Sequence, residues 1–295
     1  MSTHAAPPPY SGPPTGPPTG PPSGPPSGPT AAHPAQTLDL SRTATIPLFR
    51  LVLVELRKSM NTLASFWLVV GIAILVVMVE GLLLVIVLVE SSESTPGDYT
   101  VFATYITALA LPVLAIMLVT TEWTQRTAMV TFSIEPRRSR VMLAKYLVCL
   151  VLTFAAVVLG VLVGFVCALI CQVALPAETT WDFQAELIVG FFITQTLAMT
   201  LGFALAALLL NTPAAIVVFA VYRALPVAVF AIAASYLDWF ADIRPWIDFE
   251  YAQGPLYDLS LSSAEEVGRL LVSGLIWLGL PLTFGLLRIL RAEVK

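Results

Sequence analysis

The sequence has few of the side chains on which most enzyme active sites and metal sites depend. Its 295 residues include two histidines, His4 and His33, and three cysteines. The cysteines all fall within one apolar stretch, as Cys149, Cys167 and Cys171. Because both histidines lie in the remote N-terminal tail, these side chains cannot form a zinc site, a Cys–His nucleophile or a disulfide framework. We expect the cysteines to be small packing residues and the chain to hold no metal.

Lysine is also scarce, and this excludes one common way of binding ATP. The phosphate-binding loop G-x-x-x-x-G-K-[ST] requires a lysine directly after a glycine, and none of Lys58, Lys145 and Lys295 follows one. We therefore expect no ATP site of this type, no cofactor bound by this chain and no catalytic residue.

Charge is low, which excludes an ordinary soluble domain. The chain is 57% hydrophobic and 12% charged, a composition typical of membrane proteins. A helix needs about 20 apolar residues to cross the hydrocarbon layer of a bilayer. Six stretches are long enough, so the sequence predicts an all-α integral membrane protein with six transmembrane helices. The predicted spans are Leu63–Val89, Val101–Val119, Tyr146–Leu175, Leu187–Leu210, Ala214–Tyr236 and Leu270–Leu287.

The basic residues indicate the orientation, since Lys and Arg are retained in cytoplasmic loops. With the N-terminus inside, twelve of the fifteen basic residues are cytoplasmic, whereas Arg244 and Arg269 lie outside and Arg223 lies within a span. We expect a multi-pass protein of the plasma or inner membrane, with both termini in the cytoplasm. The net charge of −4 averages two opposite surfaces and gives no reason to expect a nucleic-acid partner. The basic residues assigned to the cytoplasm are Arg42, Arg50, Arg57, Lys58, Arg126, Arg137, Arg138, Arg140, Lys145, Arg288, Arg291 and Lys295.

Residues 1–40 have a composition of their own, with a GPPT or GPPS unit that repeats every four residues. The tail has no apolar stretch that could compensate for the entropy lost on ordering, and its period differs from the collagen period of three. We expect a disordered, solvated tail with polyproline II character, and a docking site for a proline-binding domain is the alternative.

The segment after the tail, residues 46–60, reads IPLFRLVLVELRKSM. Pro47 suits a first helical turn, and Arg50, Arg57 and Lys58 cluster on one side of a helix whose other side carries leucines. We expect an amphipathic helix in the cytoplasmic interface that turns into the membrane at Asn61. The alternative is an extension of the first span.

Residues 120–145 join the second and third predicted spans. This segment, TTEWTQRTAMVTFSIEPRRSRVMLAK, carries seven charged side chains. It also contains Trp123, Met129 and Phe132, which a loop that only fixes topology does not need. Its arginines are compatible with such a topology loop, but its apolar residues favour a surface that docks another protein.

The predicted outer loop, residues 237–269, combines acids with many aromatic residues, including Trp246 and Phe249. This composition is more typical of a segment at the membrane interface than of a solvated connection. Short helices that re-enter the membrane and an ordinary interfacial loop are both compatible with it.

Two ionisable residues, Glu80 and Arg223, lie inside predicted spans, where charge is costly and commonly functional. Counted from the cytoplasmic ends at about 1.5 Å per residue, they lie at different depths, so we do not expect them to pair directly. Arg223 follows Tyr222, and both are candidates for lining a pathway. The alternatives for Arg223 are an arginine that snorkels to the cytoplasm or one that bonds to residues 194–200.

From about residue 45 onward the sequence resembles the membrane subunits of ABC-2 type transporters, which are six-span permeases that pair with a separate ATPase. In that family the second and third spans are joined by Glu and an aromatic residue, then Thr, a Thr-Phe-like pair, Pro-Arg-Arg and Ala-Lys. The corresponding residues in this chain are Glu122, Trp123, Thr127, Thr131, Phe132, Pro136, Arg137, Arg138, Ala144 and Lys145.

The resemblance implies that residues 45–295 form a six-helix transmembrane domain, that 120–145 is the loop through which an ATPase drives the permease, and that 237–269 forms re-entrant helices. Two copies of an ATPase subunit would bind ATP and Mg, and a second permease chain, identical or closely homologous, would complete the pathway. The ATPase-coupling candidates are Glu122, Trp123, Thr127, Met129, Phe132, Arg137 and Arg138. The pathway candidates are Arg223, Glu80 and Tyr222, and the extracellular gate candidates are Trp246 and Phe249.

The function predicted on this basis is export of a substrate driven by ATP hydrolysis in the partner. Two other classes of function stay open from the sequence. A stand-alone secondary transporter would use intramembrane charges without an ATPase, although the two halves of the chain show no evident inverted repeat. A membrane scaffold without transport activity is the third possibility.

Overall fold

The structure, a computed structural model, is built from helices. It describes residues 46–125, 127, 131, 135, 137–177, 179–182, 184–225 and 229–291. Met129, Phe132 and the tail 1–40 lie outside the described residues. The α-helices are α1 (Leu48–Asn61), α2 (Leu63–Glu90), α3 (Pro96–Thr124), α4 (Arg138–Ala174), α5 (Ala185–Leu209), α6 (Thr212–Leu225), α7 (Ala231–Tyr236), α8 (Asp238–Ile247), α9 (Phe249–Ala252), α10 (Ala264–Gly274) and α11 (Leu280–Arg291).

Five helical segments among the described residues are long and apolar enough to cross a membrane. They are α2, α3, α4, α5 and the segment Ala264–Arg291, in which a π-helical turn at Leu275–Gly279 joins α10 to α11. The predicted all-α architecture with several apolar membrane-length helices is therefore confirmed, and it is compatible with a multi-pass protein. The predicted span Ala214–Tyr236 instead coincides with α6, whose 14 residues reach only about 21 Å, and with the short helix α7.

Local sequence signals explain where α1 and α3 begin. Pro47 precedes α1 in an extended conformation, and its ring is compatible with the first turn. The side chain of Thr95 accepts a hydrogen bond from the Asp98 amide, while the Asp98 carboxylate accepts one from the Thr95 amide at 2.8 Å. This capping box satisfies two amides at the start of α3 and fixes where the helix leaves the preceding turn.

Helix α5 lies at the centre of the fold and packs closely against α3 and α11. Gly202 makes the closest approach to α3, since a Cβ atom there would lie 2.4 Å from the carbonyl oxygen of Pro112. Gly190, near the start of α5, allows the backbone at Tyr257 to approach closely, because a Cβ there would lie 2.2 Å from the carbonyl oxygen of Tyr257. The amide nitrogen of Gln195 donates to the Thr104 carbonyl at 2.9 Å and links the same two helices. Any larger residue at either glycine would force the backbones apart.

The helices place most of the described basic residues at one end of the molecule, which we name the basic end. There α1 meets the start of α4 through the pair Lys145–Glu55 and the end of α3 through the pair Lys58–Glu122. The start of α6 meets α3 through Thr212 and Thr120. The opposite end, which we name the outer end after the orientation predicted from the sequence, holds the loops after α2 and α4, which touch at the bridge between Ser94 and Thr179. The segment after α9 also lies at this end, where Tyr257 contacts Gly190 at the start of α5.

Candidate coupling cluster and ion-pair site

Four charged side chains meet inside the basic end, and we name them the coupling cluster: Glu55, Lys58, Glu122 and Lys145. The Nζ atom of Lys145 lies 2.7 Å from Glu55 Oε2 and 3.3 Å from Glu122 Oε1, and it also donates to the carbonyl oxygen of Leu118 at 3.1 Å. Lys58 donates to Glu122 Oε1 from the other side. The cluster contains two acids and two bases, so its formal charge is zero.

Three of the four side chains in the coupling cluster are buried. The side chains of Glu55, Glu122 and Lys145 are each 3% exposed, whereas that of Lys58 is 42% exposed. A buried charge that loses its partner is strongly unfavourable, so the members hold one another in place. Because Glu55 and Lys58 belong to α1, Glu122 to α3 and Lys145 to α4, the cluster fixes three helices to one another at the base of the 120–145 loop.

The predicted coupling residues therefore differ in how they can act. Glu122 is buried within its own chain and organises the loop, since the Thr131 hydroxyl donates to its Oε1 at 3.1 Å and the Thr127 amide donates to its carbonyl at 2.9 Å. Trp123 is half-buried and packs against the main hydrophobic core. Thr127 is exposed. Met129 lies outside the described residues, as does Phe132.

The arginines after the loop extend the same arrangement. Arg140 pairs with the buried Glu135 at 3.0 Å and also donates to the Ile46 carbonyl, just before α1. Arg138 donates to the Ile289 carbonyl at 2.8 Å and so reaches the end of α11. Arg137 is exposed, and its amide donates to Glu135 at 3.4 Å. The end of the loop is thus bonded to the first and last helices of the described chain.

Arg223 near the end of α6 forms the second site, because it pairs with Glu250 of α9. The two side chains are 21% and 28% exposed. The sequence left open a pathway residue, a cytoplasmic arginine or one bonded to residues 194–200. The structure adds an acidic partner from residues 237–269, and the pathway role of Arg223 stays a prediction. Tyr222 beside it is buried, and its ring lies 4.8 Å from that of Trp277.

Residues 237–269, which we name the outer segment, carry both predicted gate residues. Phe249 is 2% exposed and packs near Gly274, while Trp246 is half-buried and lies against Gly268 of α10. The segment is held by Asp248, whose carboxylate accepts from the Tyr251 amide and from Arg244 Nε, each at 3.1 Å. These contacts make the segment a packed element, and the gate role of the two aromatic residues stays a prediction.

Glu80 is separate from both sites. It is fully buried in α2, and neither carboxyl oxygen has a hydrogen-bond partner in the described part of the chain. Its Oε2 atom lies near Gly164 of α4, 3.6 Å from where a Cβ would be. The structure does not bring Glu80 to Tyr222 and Arg223, and the pathway role of all three residues stays a prediction.

Sequence reasoning missed two functional candidates, Glu55 and Glu250. Glu55 carries a usable signal, since it is the only acid in α1 and precedes Lys58 by one helical turn. Glu250 carries no such signal, because it is one of several acids in its loop and becomes special only when the chain folds back onto α6.

Comparison with known proteins adds no assignment. No protein-family model matches this chain, and no curated protein matches it.

Proposed function

We propose that this chain is the membrane-spanning permease subunit of an ABC transporter and exports a substrate using ATP hydrolysis in a separate ATPase. In this proposal the chain crosses the cell membrane six times, with α6 and α7 contributing the fifth span. Helix α1 lies in the cytoplasmic interface, and both termini are cytoplasmic. Two ATPase subunits bind ATP and Mg, and a second permease chain, identical or closely homologous, completes the complex.

The observation that carries the proposal is the coupling cluster. A loop that receives force from a partner can drive the spans only if its ends are rigidly connected to them. The cluster supplies such a connection, because Glu122 at the start of the loop contacts Lys58 of α1 and Lys145 of α4. A push on the loop would therefore be transmitted to α1, α3 and α4 together.

The arginine contacts support the same interpretation. Arg138 bonds to a backbone carbonyl of α11, and Arg140 bonds to that of Ile46, two residues before α1. Such fork-shaped, permanently charged groups are well suited to holding two elements in fixed register. A loop that served only to fix topology would need the positive charges but not these bonds.

The proposal is tested by isolating the tagged full-length chain from its native membrane in mild detergent. We expect an ATPase subunit to copurify and the complex, once reconstituted in lipid, to hydrolyse MgATP. Trp123→Ala should reduce this coupled activity while the amount of inserted chain stays constant, because the arginines that set topology are unchanged. The matched control is Trp239→Ala, which removes a tryptophan that is 60% exposed in α8 and leaves every basic residue in place.

Transport by the purified chain without any ATPase would overturn the proposal in favour of a secondary transporter. An absence of both transport and an ATPase partner would favour the scaffold interpretation.

A further inference from the structure

Two cavities meet at Glu250 on the outer end. The larger has a volume of about 500 Å³, within the range of roughly 300–1,000 Å³ usual for sites that hold drug-sized molecules. The smaller has room for about one water molecule, at about 10 Å³, and lies deeper, between α5, α6 and α9. Glu250 lines both cavities, and its partner Arg223 lines the smaller one. The ion pair therefore stands between an outer cavity and the interior of the bundle.

The wall of the outer cavity is acidic. Its ionisable members are Glu250, Asp258, Glu266 and Arg269, which give a formal charge of −2 from three acids and one base, or −1 when Arg223, the partner of Glu250, is counted with them. Asp258 is fully exposed, and hydrogen bonding from Ser260 lowers the pKa of its carboxyl, so the group is charged at neutral pH.

The aromatic side chain of the outer wall is also suited to cations. Tyr251 lines the cavity, and the guanidinium carbon of Arg244 already lies 5.2 Å from the centre of its ring. A tyrosine face attracts cations through its quadrupole, so this wall combines negative charge with a π surface.

A hydrogen-bonding group without a partner among the described residues lines the same small cavity as the ion pair. Tyr222 lines the inner cavity and is 4% exposed, and its hydroxyl has no hydrogen-bond partner among the residues that the structure describes. A phenol oxygen can accept a hydrogen bond from a guanidinium. Arg223 thus has a second acceptor within the same small cavity if Glu250 becomes occupied by another cation.

We propose that the outer cavity binds a hydrophobic organic cation, whose charged centre replaces Arg223 as the partner of Glu250 while Arg223 turns to the hydroxyl of Tyr222. The binding step needs no ATPase, so it can succeed or fail independently of the permease assignment. The charge of the wall disfavours an organic anion of the same shape.

The experiment measures saturable binding of tetraphenylphosphonium to the purified full chain in lipid nanodiscs, with empty nanodiscs as the background. Tetraphenylborate, an anion of nearly the same shape, tests the sign of the charge. We expect saturable binding of the cation and none of the anion above background. Glu250→Gln should weaken binding about tenfold, the effect of removing one charge a few ångströms away in a partly screened site.

Two milder variants keep the test decisive if Glu250→Gln fails to fold, and one variant serves as a control. Asp258→Asn should weaken binding about threefold, because this exposed carboxylate contributes only to the field of the wall. Tyr222→Phe should weaken binding several-fold without lowering the unfolding midpoint, since its hydroxyl has no partner to lose in the ligand-free chain. Asp242→Asn, which alters an exposed carboxylate outside the cavity, should bind as the unchanged chain does.

Failure of the unchanged chain to bind the cation overturns the inference. So does equal binding of tetraphenylborate, or wild-type affinity in both Asp258→Asn and Tyr222→Phe.

Discussion

Replacing Lys145 by methionine tests the coupling cluster most sharply in terms of stability. The Nζ atom of Lys145 lies 2.7 Å from Glu55 and 3.3 Å from Glu122, and methionine keeps a similar length without the charge. Lys145→Met leaves two carboxylates, each 3% exposed, with only the half-exposed Lys58 to neutralise them. Removing one partner of a buried pair costs about 3–5 kcal/mol, and we expect a loss of this size in the free energy of unfolding.

Three comparison variants test whether the loss in unfolding free energy comes from the buried charges. Lys58→Met should cost about 1 kcal/mol or less, because its side chain is 42% exposed and solvent screens its interaction with Glu122. The double variant Lys145→Met with Glu55→Gln should recover a large part of the loss, since the carboxylate left without its closest partner is then neutral. The control Arg57→Gln should change stability by no more than about 0.5 kcal/mol.

The assay is reversible chemical unfolding of the purified chain in mixed micelles. Equal losses for Lys145→Met and Lys58→Met would refute the reasoning, because burial would then make no difference. The same conclusion would follow if Glu55→Gln gave no recovery in the Lys145→Met background.

Three further outcomes are expected from the same chain. Gly202→Ala should lower the unfolding free energy by about 2 kcal/mol or more, since its Cβ would lie 2.4 Å from the Pro112 carbonyl oxygen, whereas Gly71→Ala in open space should be neutral or stabilising in the same unfolding assay. Glu80→Met should raise the unfolding free energy by about 1 kcal/mol in that assay, because it removes a buried carboxyl group without hydrogen-bond partners. Removal of residues 1–40 should leave insertion and ATPase copurification unchanged, as measured by membrane fractionation and affinity purification, because no predicted span or docking element lies there.

The membrane helices could be predicted because their signal is compositional. A run of apolar residues long enough to cross a bilayer needs no knowledge of its neighbours, so the predicted spans match both ends of α2 and α5 to within about two residues. Helix α4 ends where predicted but starts at Arg138, before the predicted Tyr146, because the basic residues at its start are not part of the apolar run. Helix α3 is longer than its predicted span, since the capping box at Thr95 starts it earlier and the polar residues after Val119 continue it. Helix α6 ends at Leu225, directly before Pro226, and a proline disfavours helical geometry in the residue that precedes it.

The sites could be predicted only in part, because their partners are distant in sequence. Arg223 stood out as a charge inside a predicted span, which is a local signal, and Glu122 was indicated by the resemblance of the 120–145 loop to a known family. Their partners Lys145 and Glu250 are selected by tertiary packing, and one-dimensional spacing does not encode such contacts. The sequence did not indicate that the Glu122 carboxylate is buried and bonded within its own chain, and its coupling role stays a prediction.

The most direct test of the permease assignment is a photo-crosslink from the loop itself. A benzophenone amino acid placed at the exposed Thr127 should capture an ATPase subunit covalently in native membranes, because this position follows the coupling cluster at the basic end. The same probe at the exposed Ser262, on the outer end, should capture no ATPase. An ATPase adduct from Thr127 alone is the predicted result. Capture from Ser262, or no ATPase adduct from Thr127, would contradict the account.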